Sequence, residues 1–65
     1  MTQSQIDIYK ELEAQGMPKA GCRFIAQMFN NEEQEHIMMK YLISIRAEHI
    51  SITKVSEIAH QIQEM

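Results

Sequence analysis

The sequence predicts an all-α domain, a small bundle of three main helices followed by a carboxy-terminal fourth. Apolar side chains recur at helical spacing in four blocks along the 65 residues, the pattern of helices that each bury one face. Strong breakers cluster at one place only, Gly16-Met17-Pro18. Residues suited to helix capping, Thr2 and Asn31, stand where two of the blocks begin. There is no internal repeat, low-complexity tract or shift of composition, so residues 1–65 read as a single helical domain with short connections.

The first helix is expected from about Gln3 to Ala14. Thr2 can cap it, with Gln5 placed for a capping box, and Gly16 suits a left-handed turn just past its end. Gln5, Ile8, Tyr9 and Leu12 share its inner face. This is the least apolar of the helices and is expected to fray most. The second begins near Pro18, whose fixed φ is tolerated in a first turn, and ends near Phe29. Its apolar stripe is Cys22, Ile25, Met28 and Phe29, flanked by Phe24, with Lys19, Arg23 and Gln27 opposite. Gly21 falls on the buried side, where a missing side chain lets another backbone come close.

Asn30-Asn31 breaks the pattern. Asn31 is a good N-cap with Gln34 as its capping-box partner, and Glu32, Glu33 and Glu35 fall where the helix dipole favours negative charge. The third helix carries the widest apolar face, Ile37, Met38, Tyr41, Leu42 and Ile45, and is expected to form the centre of the core. Residues 47–52 are ambiguous between helix and a short extended link. The fourth helix follows from about Thr53 to Gln63, with Ile52, Val55, Ile58, Ala59 and Ile62 on one side.

Length and charge exclude several classes of function. A domain this small buries only about 60% of the surface its unfolded chain exposes, so a disulfide, a metal or a partner chain is a common supplement. Cys22 is the only cysteine, which removes an internal disulfide and favours a reducing compartment. The net charge of −3 discourages non-specific binding to nucleic acid or anionic membrane. The polar start Met1-Thr2-Gln3-Ser4-Gln5 lacks the apolar stretch of a secretion signal. No apolar run approaches the roughly 20 residues needed to span a bilayer. A soluble cytoplasmic protein is the expectation.

The sharpest chemical pattern is a repeated Glu-x-x-His, at Glu33 to His36 and Glu57 to His60. Two such pairs on different helices can hold a carboxylate-bridged metal pair, because i and i+3 aim both ligands at one centre. Face geometry opposes it here: His36 projects roughly 170°, and His60 roughly 150°, from the centre of its helix's apolar face. The second helix also contains no Glu or Asp. Cys22, His36, His49 and His60 match no closed zinc spacing. A buried Cys22 is a poor nucleophile, which wants an exposed, electropositive setting and a paired base. No catalytic residue, metal or cofactor is expected, and the protein is read as a non-enzyme.

The span 19–45 offers a helix-turn-helix alternative, with Ile25-Ala26 before a tight Asn30-Asn31 turn. In that motif the start of the second helix faces base edges between phosphate strands. Glu32, Glu33 and Glu35 would be repelled there, and Lys19 and Arg23 supply little compensation. A DNA-binding regulator is therefore the second choice, behind a packed helical hairpin with an acidic solvent face.

Gly16-Met17-Pro18, then Cys22, Ile25-Ala26, Asn31 and a last helix around Tyr41-Leu42, resembles a ubiquitin-associated-type three-helix module between Leu12 and Leu42. The resemblance departs in the loop, where Met17 takes the place of the family's aromatic, and in the longer spacing after Asn31. It implies a small protein-binding module. Methionine usage agrees, since unbranched, polarizable side chains line adaptable surfaces as well as filling cores. The expected function is that of a small regulatory or adaptor protein that binds another protein, alone or as a homodimer packed through the third and fourth helices. The binding surface is expected at Met17 and Pro18 in the loop and at Met38, Met39 and Ile43 on the third helix.

Overall fold

The computed structural model describes residues 1–48 and 50–65. Four helices follow in order: α1 (Gln3–Ala14), α2 (Lys19–Met28), α3 (Glu32–Ser44) and α4 (Ile52–Gln63). The fold class is all-α, as the apolar spacing predicts. Of the ambiguous stretch, Ala47 closes a turn, Glu48 is a bend and α4 begins at Ile52. His49, named above among the zinc candidates, lies outside the described residues.

Three of the four helices start on a side-chain cap. Thr2 accepts from the Gln5 amide while the Gln5 side chain accepts from the Thr2 amide, which completes the expected capping box. Asn31 accepts from the amides of Glu33 and Gln34, and Ser51 from that of Lys54. The capping box expected at α3 is not closed. Gln34 instead donates across the bundle to the carbonyl oxygens of Gln63 (3.1 Å) and Met65 (3.4 Å), where the end of α4 has carbonyls to satisfy.

The end of α1 explains the loop. Gly16 has φ +100°, the Gly16 amide bonds the Glu13 carbonyl at 3.0 Å, and the Met17 amide bonds the Leu12 carbonyl at 3.1 Å. These two bonds define a Schellman motif, in which the residue after the glycine packs its side chain against the last turn of the helix. Met17 and Leu12 are both buried accordingly. Gly21 faces this side chain: a Cβ there would lie 3.2 Å from Met17 Cγ and Sδ. The close neighbour is therefore a side chain, not the backbone expected from sequence.

α1 packs against both α2 and α3, while α4 closes the far side against α3 and α2. Among the described residues the backbones of α2 and α3 do not approach each other, nor do those of α1 and α4. The helices thus form a ring in the order α1, α2, α4, α3. The packed α2–α3 hairpin expected from sequence is not formed, because the link leaves α2 through extended backbone at Phe29 and Asn31. The centre of packing also differs from expectation. α1, with Ile8 and Leu12 almost wholly buried, makes the most extensive contacts of the four, ahead of α3.

The core comprises Ile8, Leu12, Met17, Cys22, Ile25, Ala26, Phe29, Met38, Leu42, Ile45, Val55, Ala59 and Ile62. In α2, Ala26 is buried in place of Met28, which turns the inward face roughly 40° from the one the spacing predicts. In α3 the inward side is Glu35, Met38 and Leu42, with Ile45 at the cap, turned roughly 60° toward α1. That rotation brings in Glu35, expected on an acidic rim; it accepts from the Thr2 hydroxyl at 3.2 Å. No buried side-chain nitrogen or oxygen among the described residues lacks a partner.

Candidate protein-binding site

The rotation of α2 decides which of its side chains meet solvent. With Cys22, Ile25, Ala26 and Phe29 inward, Phe24 points roughly 150° from the centre of the buried face at 100° per residue. It is 65% exposed, while Phe29, five residues on, is 0% exposed. Its ring is a large apolar surface that the core of this small domain does not use. Met1, Ile43, Ile52 and Met65 are the other large apolar residues that are exposed, and two of them are terminal.

Phe24 forms a ridge between two shallow depressions. One lies along the α1–α2 edge and is lined by Tyr9, Lys19, Ala20, Arg23, Phe24 and Gln27. The other, toward α4, is lined by Phe24, Gln27, Met28, His60 and Gln63. Tyr9 and Met28 are half-buried and pack on the core from this side. Neither depression contains a carboxylate, and neither Lys19 nor Arg23 takes part in an ion pair. The described residues contain a single salt bridge, elsewhere: Arg46 Nη2 to Glu11 Oε1 at 2.6 Å.

The opposite flank of α1 has the contrary character. Asp7 and Tyr9 stand roughly 160° apart around that helix, and Asp7 joins Ser4, Glu32, Glu35, His36 and Met39 in an acidic hollow against α3. The molecule therefore carries a basic, aromatic edge along α2 and an acidic edge along α1–α3. His36 and His60 are both exposed, as are Glu33 and Glu57. Among the described residues no three His, Cys, Asp or Glu side chains are placed to share a metal ion.

The residues expected to bind from sequence are scattered. Met17 is buried by the Schellman turn and Met38 is 0% exposed in the core, so neither presents a surface, and both expectations are corrected. Met39 is half-buried, and only Pro18 and Ile43 are exposed. Pro18 lies before α2, far along the chain from Met39 and Ile43, which are one turn apart on α3. Phe24 is what sequence reasoning missed, having placed it on the edge of the apolar stripe. The signal available was its neighbourhood: one helical turn separates it from Ala20 and from Gln27, on the polar side.

Cys22 is an interior residue. Its thiol donates to the Met17 carbonyl at 3.3 Å, and burial, reinforced by the nearby charge of Glu13, pushes its pKa up. This is the reverse of what a reactive thiolate needs. A polar clamp lies at the carboxy-terminal end of α1. The Arg46 guanidinium forks onto both oxygens of Glu11, and Gln15 Nε2 donates to Glu11 Oε2 and to the Leu42 carbonyl, each at 2.8 Å. These groups occupy one another, and they tie α1 to the end of α3. No helix among the described residues is long and apolar enough to cross a membrane.

No family model matches this chain, and no curated protein or solved structure is significantly similar to it.

Proposed function

We propose that this protein is a small non-catalytic adaptor or regulator that works by binding another protein through the outer face of α2. The observation that carries this reading is Phe24, 65% exposed between two depressions whose floors are half-buried Tyr9 and Met28. Exposed aromatic anchors with an apolar surround and a polar rim are the usual composition of an interface centre. The groups with the sharpest chemistry have internal roles instead: Cys22 is core, and Glu11 is held by Arg46 and Gln15.

The test is site-specific photo-crosslinking in the source cell, with the photoreactive residue at position 24 or, as control, at exposed Lys40. A discrete adduct from position 24 and not from position 40 is the expected result. Equal labelling from both positions, or none from position 24, overturns the reading. The DNA-binding alternative is separated by titrating random duplex DNA at two salt concentrations, because phosphate neutralisation makes affinity fall steeply with salt.

A further inference from the structure

We infer that the partner of the α2 face is an acidic amphipathic helix, a segment with aliphatic or aromatic anchors on one side and carboxylates toward one end. This rests on the protein-binding reading above and adds the chemistry of the occupant. The cations of the face are Lys19 and Arg23, one helical turn apart beside Phe24, and both line the depression that Tyr9 closes. Among the described residues neither forms a salt bridge, and neither depression on this face contains Asp or Glu. Glu13, one turn beyond Tyr9, forms no salt bridge with either cation. The amino-terminal end of α2 adds to the same sign. Its first turn has no acidic residue and its N-cap, Pro18, makes no side-chain hydrogen bond, so the positive end of the helix dipole is uncompensated there.

In a protein of net charge −3, such a positive edge is opposite in sign to the molecule as a whole and selects for an anionic partner. The charges also decide against a two-fold pairing of this face with itself. Antiparallel α2 helices crossing at Phe24 would set Arg23 of each copy beside the dyad, like charge against like. The shape fits a helix laid alongside. From Lys19 to Met28 the face runs about 14 Å at 1.5 Å per residue, which matches anchors at i, i+3 or i+4, and i+7 of a docked helix. The anchors would straddle Phe24 into the two depressions, and the acidic end would lie over Lys19 and Arg23. The α4 side, with Gln63 and His60, is the end where carboxylates are not required.

The experiment selects random peptides of about 14 residues, long enough for about four helical turns, from a displayed library against the full chain. Parallel selections use Phe24→Ser and the double variant Lys19→Glu with Arg23→Glu. All three substituted side chains are exposed, and Lys19→Glu places negative charge where the α2 dipole favours it; unchanged helicity and melting confirm folding. The expected outcome is a pool of acidic peptides with spaced apolar anchors that is lost with Phe24→Ser. The double variant should weaken the best acidic peptide by about tenfold or more at low salt, since rim charge pairs are individually modest and screened. It should also shift selection toward basic peptides. Peptides that depend on Phe24 but show no acidic bias overturn the inference while leaving the protein-binding reading intact. No Phe24-dependent enrichment overturns both. Sedimentation of the native chain as a dimer dissociated by Phe24→Ser also overturns it, because the occupant would then be a second copy.

Discussion

Two phenylalanines, Phe24 within α2 and Phe29 at its C-cap, show how much a single residue's direction decides. Phe29 is fully buried and accepts, through its carbonyl, from Gln5 Nε2 at 2.6 Å, so Phe29→Ala is expected to cost about 3–5 kcal/mol. Phe24→Ser, within the helix, is expected to change stability by no more than about 0.5 kcal/mol. Ile25→Ala and Leu42→Ala, at 2% and 0% exposure, belong with Phe29 and should each cost about 2–5 kcal/mol. His36→Ala is exposed and belongs with Phe24. Urea melts of the five variants check the ranking; a Phe24→Ser protein as unstable as Ile25→Ala would mean that α2 is rotated differently about its axis.

Among the elements, the helix ends carry the most specific information. Gly16 holds φ +100° with nothing within 4 Å of where a Cβ would stand. The cost of Gly16→Ala is therefore one of backbone conformation alone, about 1–2 kcal/mol. Removing a cap hydroxyl typically costs about 0.5–2 kcal/mol. Thr2 and Ser51 should differ within that range. Ser51 caps α4 and nothing else, whereas the Thr2 hydroxyl also donates to Glu35, which is 5% exposed. Thr2→Ala is expected to cost more than Ser51→Ala, because it leaves a buried carboxylate short of a donor. Equal denaturation midpoints for the two would show that the Thr2–Glu35 bond contributes nothing.

For the whole molecule, closure and pH response follow from the ring. The accessible surface is 4352 Å², against about 4,300 Å² for a folded monomer of this mass. The radius of gyration is 10.3 Å, against about 10.7 Å by the same kind of scaling. One chain thus closes its own core. On α3 and α4, where a homodimer is expected from sequence, Ile43 and Ile52 are exposed and Ile37, Met39, Tyr41 and Ile58 half-buried, against the roughly 800 Å² per partner that a stable interface takes. Sedimentation at micromolar concentration is expected to show a monomer, and a dimer that Ile43→Lys dissociates would reverse this. Stability should fall at both ends of the pH range. Hydrogen bonds from Arg46 outweigh burial and hold the Glu11 carboxyl below its ordinary 4.5. Its contribution is present above that value and lost as pH falls through the lowered one. Burial raises the Cys22 thiol above its ordinary 9.0, so the folded state holds its proton longer and stability falls as pH rises beyond 9. Urea midpoints across pH test both limbs: Arg46→Ala should flatten the acid one, and Cys22→Ala should remove the thiol's share of the alkaline one.

The helices themselves are determined by local chemistry, and the sequence alone determined them. Thr2 with Gln5, Asn31 and Gly16 act within a turn of their own positions, so the bounds of α1 and the start of α3 follow from short-range capping and the left-handed turn. The identity of most core residues follows as well, because Ile8, Leu12, Cys22, Ile25, Leu42 and Val55 dominate their helices' apolar faces. Only the tertiary structure decided how each helix is turned about its axis and which helices are neighbours. Periodicity reports the average direction of apolar side chains, but small residues and polar partners elsewhere set the direction that packs. The fully buried Ala26 and Ala59 are small enough for helices to come close. Packing on Ala26 swings Met28 and Phe24 outward, while the Thr2 hydroxyl draws Glu35 inward. The Schellman turn likewise takes Met17 from an apparent loop into the core. The candidate site was therefore the least legible part of the chain, since it consists of what those rotations leave in water.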